Sequence, residues 1–212
     1  MQIINLNIYK GKEVEKMSKV KLENIKLLAD TKYLKLYNAE YTNKYGALRN
    51  WTIASRKDLD TINNKFFHGA EDKIDAVVII AKHIKEDKLV VIRQFRVPIN
   101  DYVIELPAGL VDNNEEFEEA TKRELKEETG LDLVSIDYNG TKEKVYVSVG
   151  MTDESVALVS CTCDGIISKE NLEADEDIEA IMISKEEAKE LLKSNENIDV
   201  KALLAIQSFI LS

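Results

Sequence analysis

The sequence predicts an α/β protein in which helices cover a mixed sheet, preceded by a small antiparallel β region. Three patterns lead there. The run Ala76-Val77-Val78-Ile79-Ile80-Ala81 is continuous, β-branched and short, as in a strand buried on both faces. Residues 115–129 are amphipathic, rich in Glu and Lys, and stop at Gly130, which reads as a helix with a glycine end. Tyr33-Leu34-Lys35-Leu36-Tyr37 alternates with period two, as an antiparallel strand does.

Taken in order, residues 1–20 are mixed and Lys/Glu-rich and read as an extension, with Met17 a candidate alternative start. From Ile25 to Phe67 short Tyr- and Leu-rich alternations predict antiparallel strands, with a turn at Lys44-Tyr45-Gly46. Asn63–Asp75 reads as a loop and boundary, which divides the chain into an N-terminal β-rich region (1–64) and a main domain (65–212). Strands are expected at 76–81, at 89–93 after the charged turn Lys85–Lys88, and at 102–106 before Pro107. The helix over 115–129 takes its cap from Asn113 or Asn114. Strands follow at 144–149, 155–161 and 178–183, then a helix capped by Ser184, and a last amphipathic helix over 200–211.

Composition narrows the function. With 44% hydrophobic and 32% charged residues, and only 8 Gly and 2 Pro, the chain reads as an ordinary globular domain rather than a disordered or fibrous one. No apolar run approaches the length of a bilayer span, and no signal-peptide pattern opens the sequence, so no membrane partner and a cytoplasmic location are expected. A net charge of −10 argues against nucleic acid as a partner. It also means that any anionic ligand needs local Arg/Lys or a metal ion. Cys161 and Cys163 are too close in one strand to bridge and read as reduced thiols. His68 and His83 match no metal spacing and read as structural or surface residues. The acidic run 173–179 reads as a solvated turn.

The helix carries the chemistry. Glu124, Glu127 and Glu128 share one face at i, i+3 and i+4, and Glu124 and Glu128 form a like-charge pair that helix stability does not ask for. A bound divalent cation turns that liability into a site, and hard oxygen ligands suit Mg²⁺ or Mn²⁺. On the charges alone, a solvated acidic helix with ordinary Glu118–Lys122 and Glu119–Arg123 pairs is the first reading. The wider spacing decides. From Gly109 it runs five residues, Glu115, seven residues, then Arg123-Glu124-Leu125-x-Glu127-Glu128-x-Gly130-Leu131. Nine such constraints coincide by chance on the order of once in 10⁸ positions. The stretch resembles the Nudix hydrolase signature. Gln94-Phe95-Arg96-Val97-Pro98 and Glu105-Leu106-Pro107-Ala108-Gly109 are similar to the ADP-ribose pyrophosphatase and nucleotide-sugar hydrolase branch, as are Arg49-Asn50-Trp51 and Gly150-Met151-Thr152-Asp153-Glu154.

The resemblance implies a Nudix α/β/α sandwich and Mg²⁺-dependent hydrolysis of a nucleoside diphosphate sugar. It implies that the Ala108 carbonyl, Glu124, Glu127 and Glu128 hold the metal, and that Arg123 orients a box carboxylate. Arg96 and Arg56 would meet phosphate or ribose beside Glu105, Trp51 would stack on the base, and Glu154 would activate water. A homodimer with exchanged N-terminal strands is implied too. Each residue has a blander alternative: Trp51 as core, Arg56 as surface, Glu154 as a loop acid. Two departures bear on the substrate. Ser148-Val149-Gly150 stands where the branch often has Ser-Pro-Gly, and Thr52 follows Trp51 where an acid that recognises adenine is common. ADP-ribose or a related ADP-sugar is therefore the first expectation and GDP-mannose the second. A non-catalytic sensor on the same fold ranks last, because every box carboxylate is present.

Overall fold

Period-two alternation in the first third of the chain produces a three-stranded antiparallel sheet. The computed structural model describes residues 20–172 and 177–212, and its contacts divide the chain into two compact units. The first takes the described part of residues 1–72 together with 148–153; the second takes 73–147 and 154–212. The boundary expected after residue 64 instead falls inside a helix, and the division comes after residue 72.

In the first unit, β1 (Lys21–Asp30), β2 (Lys35–Thr42) and β3 (Leu48–Ser55) pair in that order. Register places Tyr37 between Leu27 and Ile53. The turn between β2 and β3 is closed by the Asn43 side chain, which accepts from the N–H groups of Tyr45 and Ala47. Helix α1 (Leu59–Phe67) follows, started by Asp58, whose carboxylate accepts from the Thr61 N–H at 2.7 Å. Hydrogen bonds from Thr61, its side chain first and its N–H second, hold the Asp58 carboxyl below its ordinary range. Part of the loop expected over 63–75 is thus helical. Ile62 is the reason, because it packs with Ile25 and Tyr37 into a small core closed by Ile53, Leu59 and Phe66. The Tyr37 hydroxyl donates to the Lys57 carbonyl at 2.8 Å.

The second unit is a mixed sheet with a helix layer on each face. Its strands are β4 (Ala76–His83), β5 (Lys88–Arg96), β6 (Asp101–Glu105), β7 (Ala108–Leu110), β8 (Asp132–Ile136), β9 (Lys142–Tyr146), β10 (Ser155–Asp164) and β11 (Ile178–Ile183). The helices are α2 (Phe117–Thr129), α3 (Lys185–Leu191) and α4 (Val200–Leu211). The main order is β11-β5-β4-β10-β8, with β6 on β5, β7 on β4 and β9 on β10. Among these strands β4 and β10 run parallel and the other pairs antiparallel. Alternate residues of β4 face opposite ways. Val77, Ile79 and Ala81 pack with Ala120, Leu125 and Leu131 on the α2 side, while Ala76 and Val78 pack with Ala202, Ile206 and Phe209 on the α4 side. No helix among the described residues is long and apolar enough to cross a membrane.

Several ends differ from expectation for local reasons. Helix α2 starts at Phe117 behind Glu116, not behind Asn113 or Asn114. Asn114 instead adopts φ +66° inside a turn closed by the Glu115 N–H on the Asp112 carbonyl. The strand expected at 144–149 is β9, which ends at Tyr146. Ser184 does cap α3, in a reciprocal box with Glu187. His83 is buried, accepts from the Glu86 N–H through Nδ1 and lies 3.1 Å from the Gly165 carbonyl through Nε2, a structural role. His68 ends α1 and is exposed. The acidic run 173–179 lies partly outside the described residues, as do residues 1–19.

Two consequences can be measured. Gly130 ends α2 at φ +77°, and a Cβ there would lie 2.6 Å from the Ser168 nitrogen. Gly130→Ala is expected to lose more than about 1 kcal/mol of stability in urea titration. Cys161 and Cys163 are buried free thiols, pushed by that burial up to about 12 and about 11. A thiol reagent at pH 8 should label neither in the folded protein and both in denaturant.

Candidate active site

Helix α2 meets β7 at unusually close range, and glycine permits it. A Cβ on Gly109 would stand 1.9 Å from the Glu124 carboxyl carbon, so the carboxylate occupies the space a side chain would fill. One turn on, Glu128 Oε2 accepts from the Ala108 N–H at 2.9 Å. Glu124 is 8% exposed and Glu128 4%. Two like-charged groups are therefore buried at i, i+4 on one helix face, against the backbone of β7.

Arg123 organises the other side. Its Nε and Nη2 each donate to Glu115 at 2.9 Å, and Nη2 also reaches the Leu110 carbonyl at 2.8 Å. Its Nη1 bonds Glu124 Oε1 at 2.7 Å and Glu127 Oε2 at 3.1 Å. These bonds use the guanidinium's whole donor fork. The carboxylates, Glu115 first, raise the Arg123 pKa above its ordinary value. Arg123 in turn holds the Glu115 carboxyl below the usual range. The expected Glu119–Arg123 pair is displaced by these partners. Glu115 had no assigned role, although it is a fixed position of the signature.

A second fork lies nearby. Arg96 at the end of β5 bonds Glu105 at the end of β6 through Nε and Nη2, both at 2.7 Å. Glu105 raises the Arg96 pKa, with smaller contributions from Glu128 and Asp199, so Arg96 stands within the field of the α2 carboxylates. The second unit thus brings together Arg96, Glu105, Ala108, Arg123, Glu124, Glu127 and Glu128. Glu154 is half-buried immediately before β10. In the first unit, Trp51 on β3 is half exposed and so is not core; its indole N–H donates to the Gly150 carbonyl at 3.2 Å. It lines an apolar groove of about 370 Å³ with Leu22, Ala39, Tyr41 and Ile53. Arg56 is exposed just after β3.

Among the described residues no group of three or more His, Cys, Asp or Glu stands arranged as a metal cage. Glu124 and Glu128 both lie against β7, while Glu124 and Glu127 share the Arg123 Nη1. The donor chemistry nevertheless fits a hard divalent cation: two buried carboxylates stand against β7, Glu124 in the space beside Gly109 and Glu128 on the Ala108 N–H, with Glu127 on the same helix.

Residues 72–204 match the NUDIX domain family. This chain belongs to that family. Within it, the chain is 31% identical over 153 residues to an ADP-ribose pyrophosphatase of Bacillus subtilis (strain 168), covering 71% of this chain and 80% of that one. An ADP-ribose pyrophosphatase of Saccharomyces cerevisiae is 31% identical over 160 residues, 75% of this chain and 64% of its own length. A GDP-mannose pyrophosphatase of Enterobacter sp. (strain 638) is 30% identical over 175 residues, 78% and 88% respectively. The fold is shared with a crystal structure of an ADP compounds hydrolase, at a TM-score of 0.65 and 18% identity over 89% of this chain and 91% of that one. The NUDIX match covers the whole α2–β7 site.

The Glu115–Arg123 pair has a pH signature. A carboxyl held below its ordinary value stabilises the fold above that value, about 4.3, and loses its contribution as pH falls through the lowered one. The stability gap between wild type and Glu115→Gln, read by urea unfolding, should therefore hold steady at neutral pH and close only in acid.

Proposed function

We propose that this protein is a Mg²⁺-dependent hydrolase that cleaves the pyrophosphate bond of ADP-ribose or a related ADP-sugar, giving AMP and a sugar phosphate. The observation that carries it is the buried pair Glu124 and Glu128 against Gly109 and Ala108. Relatives named ADP-ribose pyrophosphatase support the substrate class. Glu124, Glu127 and Glu128, with the Ala108 carbonyl, would hold the cation. When bound, Mg²⁺ (or Mn²⁺) supplies the positive charge that admits a diphosphate to an acidic protein and steadies the oxygen released as the bridge breaks.

The chain's own residues do the rest. Glu154 takes a proton from the attacking water as its oxygen bonds to phosphorus. The P–O bridge breaks and leaves two phosphomonoesters. Arg123 fixes the rotamers of Glu124 and Glu127. Arg96, aimed by its two bonds to Glu105, offers its remaining donors to phosphate. Trp51 stacks on the base, where its half-exposed ring is available, and Arg56 meets the phosphate or ribose. The N-terminal β region serves dimerisation and base binding in a cytoplasmic homodimer. The buried free thiols Cys161 and Cys163 suit a reducing compartment.

A second reading changes only the base and sugar. Thr52 after Trp51 leaves no acid there for adenine, and the chain covers 88% of a GDP-mannose pyrophosphatase. Parallel assays of ADP-ribose and GDP-mannose with Mg²⁺, products separated by chromatography, decide between them. AMP and ribose 5-phosphate are expected from ADP-ribose, and chelation should stop turnover. Glu128→Gln should abolish activity. Glu154→Gln should lower kcat by about 10²-fold or more while changing KM little. No turnover of any nucleoside diphosphate sugar would refute the proposal.

A further inference from the structure

One polar atom of the second unit is buried without a use in the fold. The amide oxygen Oε1 of Gln94, on β5, is closed off from solvent and meets no hydrogen-bond donor among the described residues. A buried acceptor left unmet costs free energy. Packing does not account for it. Val90 packs with Leu125 on the α2 side of the sheet, and alternation puts Ile92, Gln94 and Arg96 on that same face. Val90 and Ile92 are buried. The residues paired with Gln94, Val103 on β6 and Ile178 on β11, are buried and apolar too. A methionine or leucine would fill the place with no unmet group.

Register shows what the amide stands beside. Ile92 pairs with Glu105, Gln94 with Val103 and Arg96 with Asp101. Opposite residues of an antiparallel pair share a face. The Arg96–Glu105 fork therefore joins the two outer rows, and Gln94 belongs to the row between them. Arg96 in turn stands in the field of Glu128 on α2. All of these residues lie in the second unit.

The unmet atom is an acceptor, which narrows its partner to a donor. The oxygens of a diphosphate diester only accept at neutral pH. A cation is disfavoured in this row by the Arg96 guanidinium. The groups next to the diphosphate that carry a hydrogen are the sugar hydroxyls. We propose that Gln94 is a specificity-determining residue: its amide oxygen accepts a hydrogen bond from a hydroxyl of a sugar flanking the diphosphate that Arg96 meets. This rests on the reading of the chain as a nucleoside diphosphate sugar hydrolase with Arg96 at the phosphate.

The test measures kcat/KM on the full chain with Mg²⁺. The substrates are whichever of ADP-ribose and GDP-mannose it turns over faster, and analogues of that substrate that each lack one sugar hydroxyl. The wild type should disfavour one analogue about tenfold or more, because a site built to meet a hydroxyl rejects its absence. In Gln94→Met that preference should shrink to within about twofold, while the ranking of the other analogues holds. The urea midpoint of Gln94→Met should equal or exceed that of the wild type, since an unmet group has gone. Its Mg²⁺ uptake by calorimetry should match the wild type. If Gln94→Met does not fold, Gln94→Leu carries the same expectations. An unchanged hydroxyl preference in the variant, beside a wild type that turns over the parent substrate, overturns the proposal alone. An equal loss on every analogue with a lowered midpoint overturns it by marking Gln94 as structural. Lost Mg²⁺ uptake overturns it by marking the amide as a metal ligand. No turnover of either parent substrate by the wild type overturns the underlying reading of the substrate, and the proposal with it.

Discussion

Two carboxylates buried one helical turn apart are the constraint around which the main domain is arranged. Like charges four residues apart on one helix face repel by roughly a few tenths of a kcal/mol even when exposed, and by more when burial removes the water between them. Glu124 and Glu128 are nonetheless almost sealed from water. The surrounding residues answer that repulsion one group at a time. Gly109 gives the Glu124 carboxyl room that any Cβ would deny, the Ala108 amide donates to Glu128, and Arg123 takes an oxygen of Glu124 while Glu115 holds Arg123 in turn.

The fold supplies those groups through a break in the sheet. The first part of β4 pairs with β7 and its last residues with β5, so β6 and β7 diverge at Leu106-Pro107. Pro107 still gives its carbonyl to the Ile79 N–H at 2.8 Å. The short strand β7 thereby lies under α2, while the ends of β5 and β6 present Arg96 and Glu105 as a rigid pair. Helix α2 is held by Ala120, Leu125 and Leu131 against Val77 and Ile79. Its polar face stays fixed because its apolar face is packed.

Local signals made much of this legible. Strands β4, β5 and β10 follow from their apolar runs, α3 from Ser184 and α2 from its period and Gly130. The signature spacing alone groups Gly109, Arg123 and the box carboxylates. Tertiary effects were hidden. Helix α1 passed for the end of the strand region and the start of a loop, because Asn63, Asn64 and Lys65 mask a helix whose justification is Ile62 against Tyr37. The start of α2 moved because Glu115 serves Arg123 rather than the helix. Strand β7 is three residues long, too short for any period to show, and β8 is largely exposed at a sheet edge. The direction of Glu127 could not be read from i, i+3 spacing, which places a side chain on a face without choosing its partner.

Calorimetric titration of Mg²⁺ into the protein, beside Glu124→Gln and Glu128→Gln, tests the role of the buried pair without needing a substrate. Saturable uptake by the wild type that is lost in both variants is the predicted result. No uptake by the wild type, or equal uptake by all three, would contradict it.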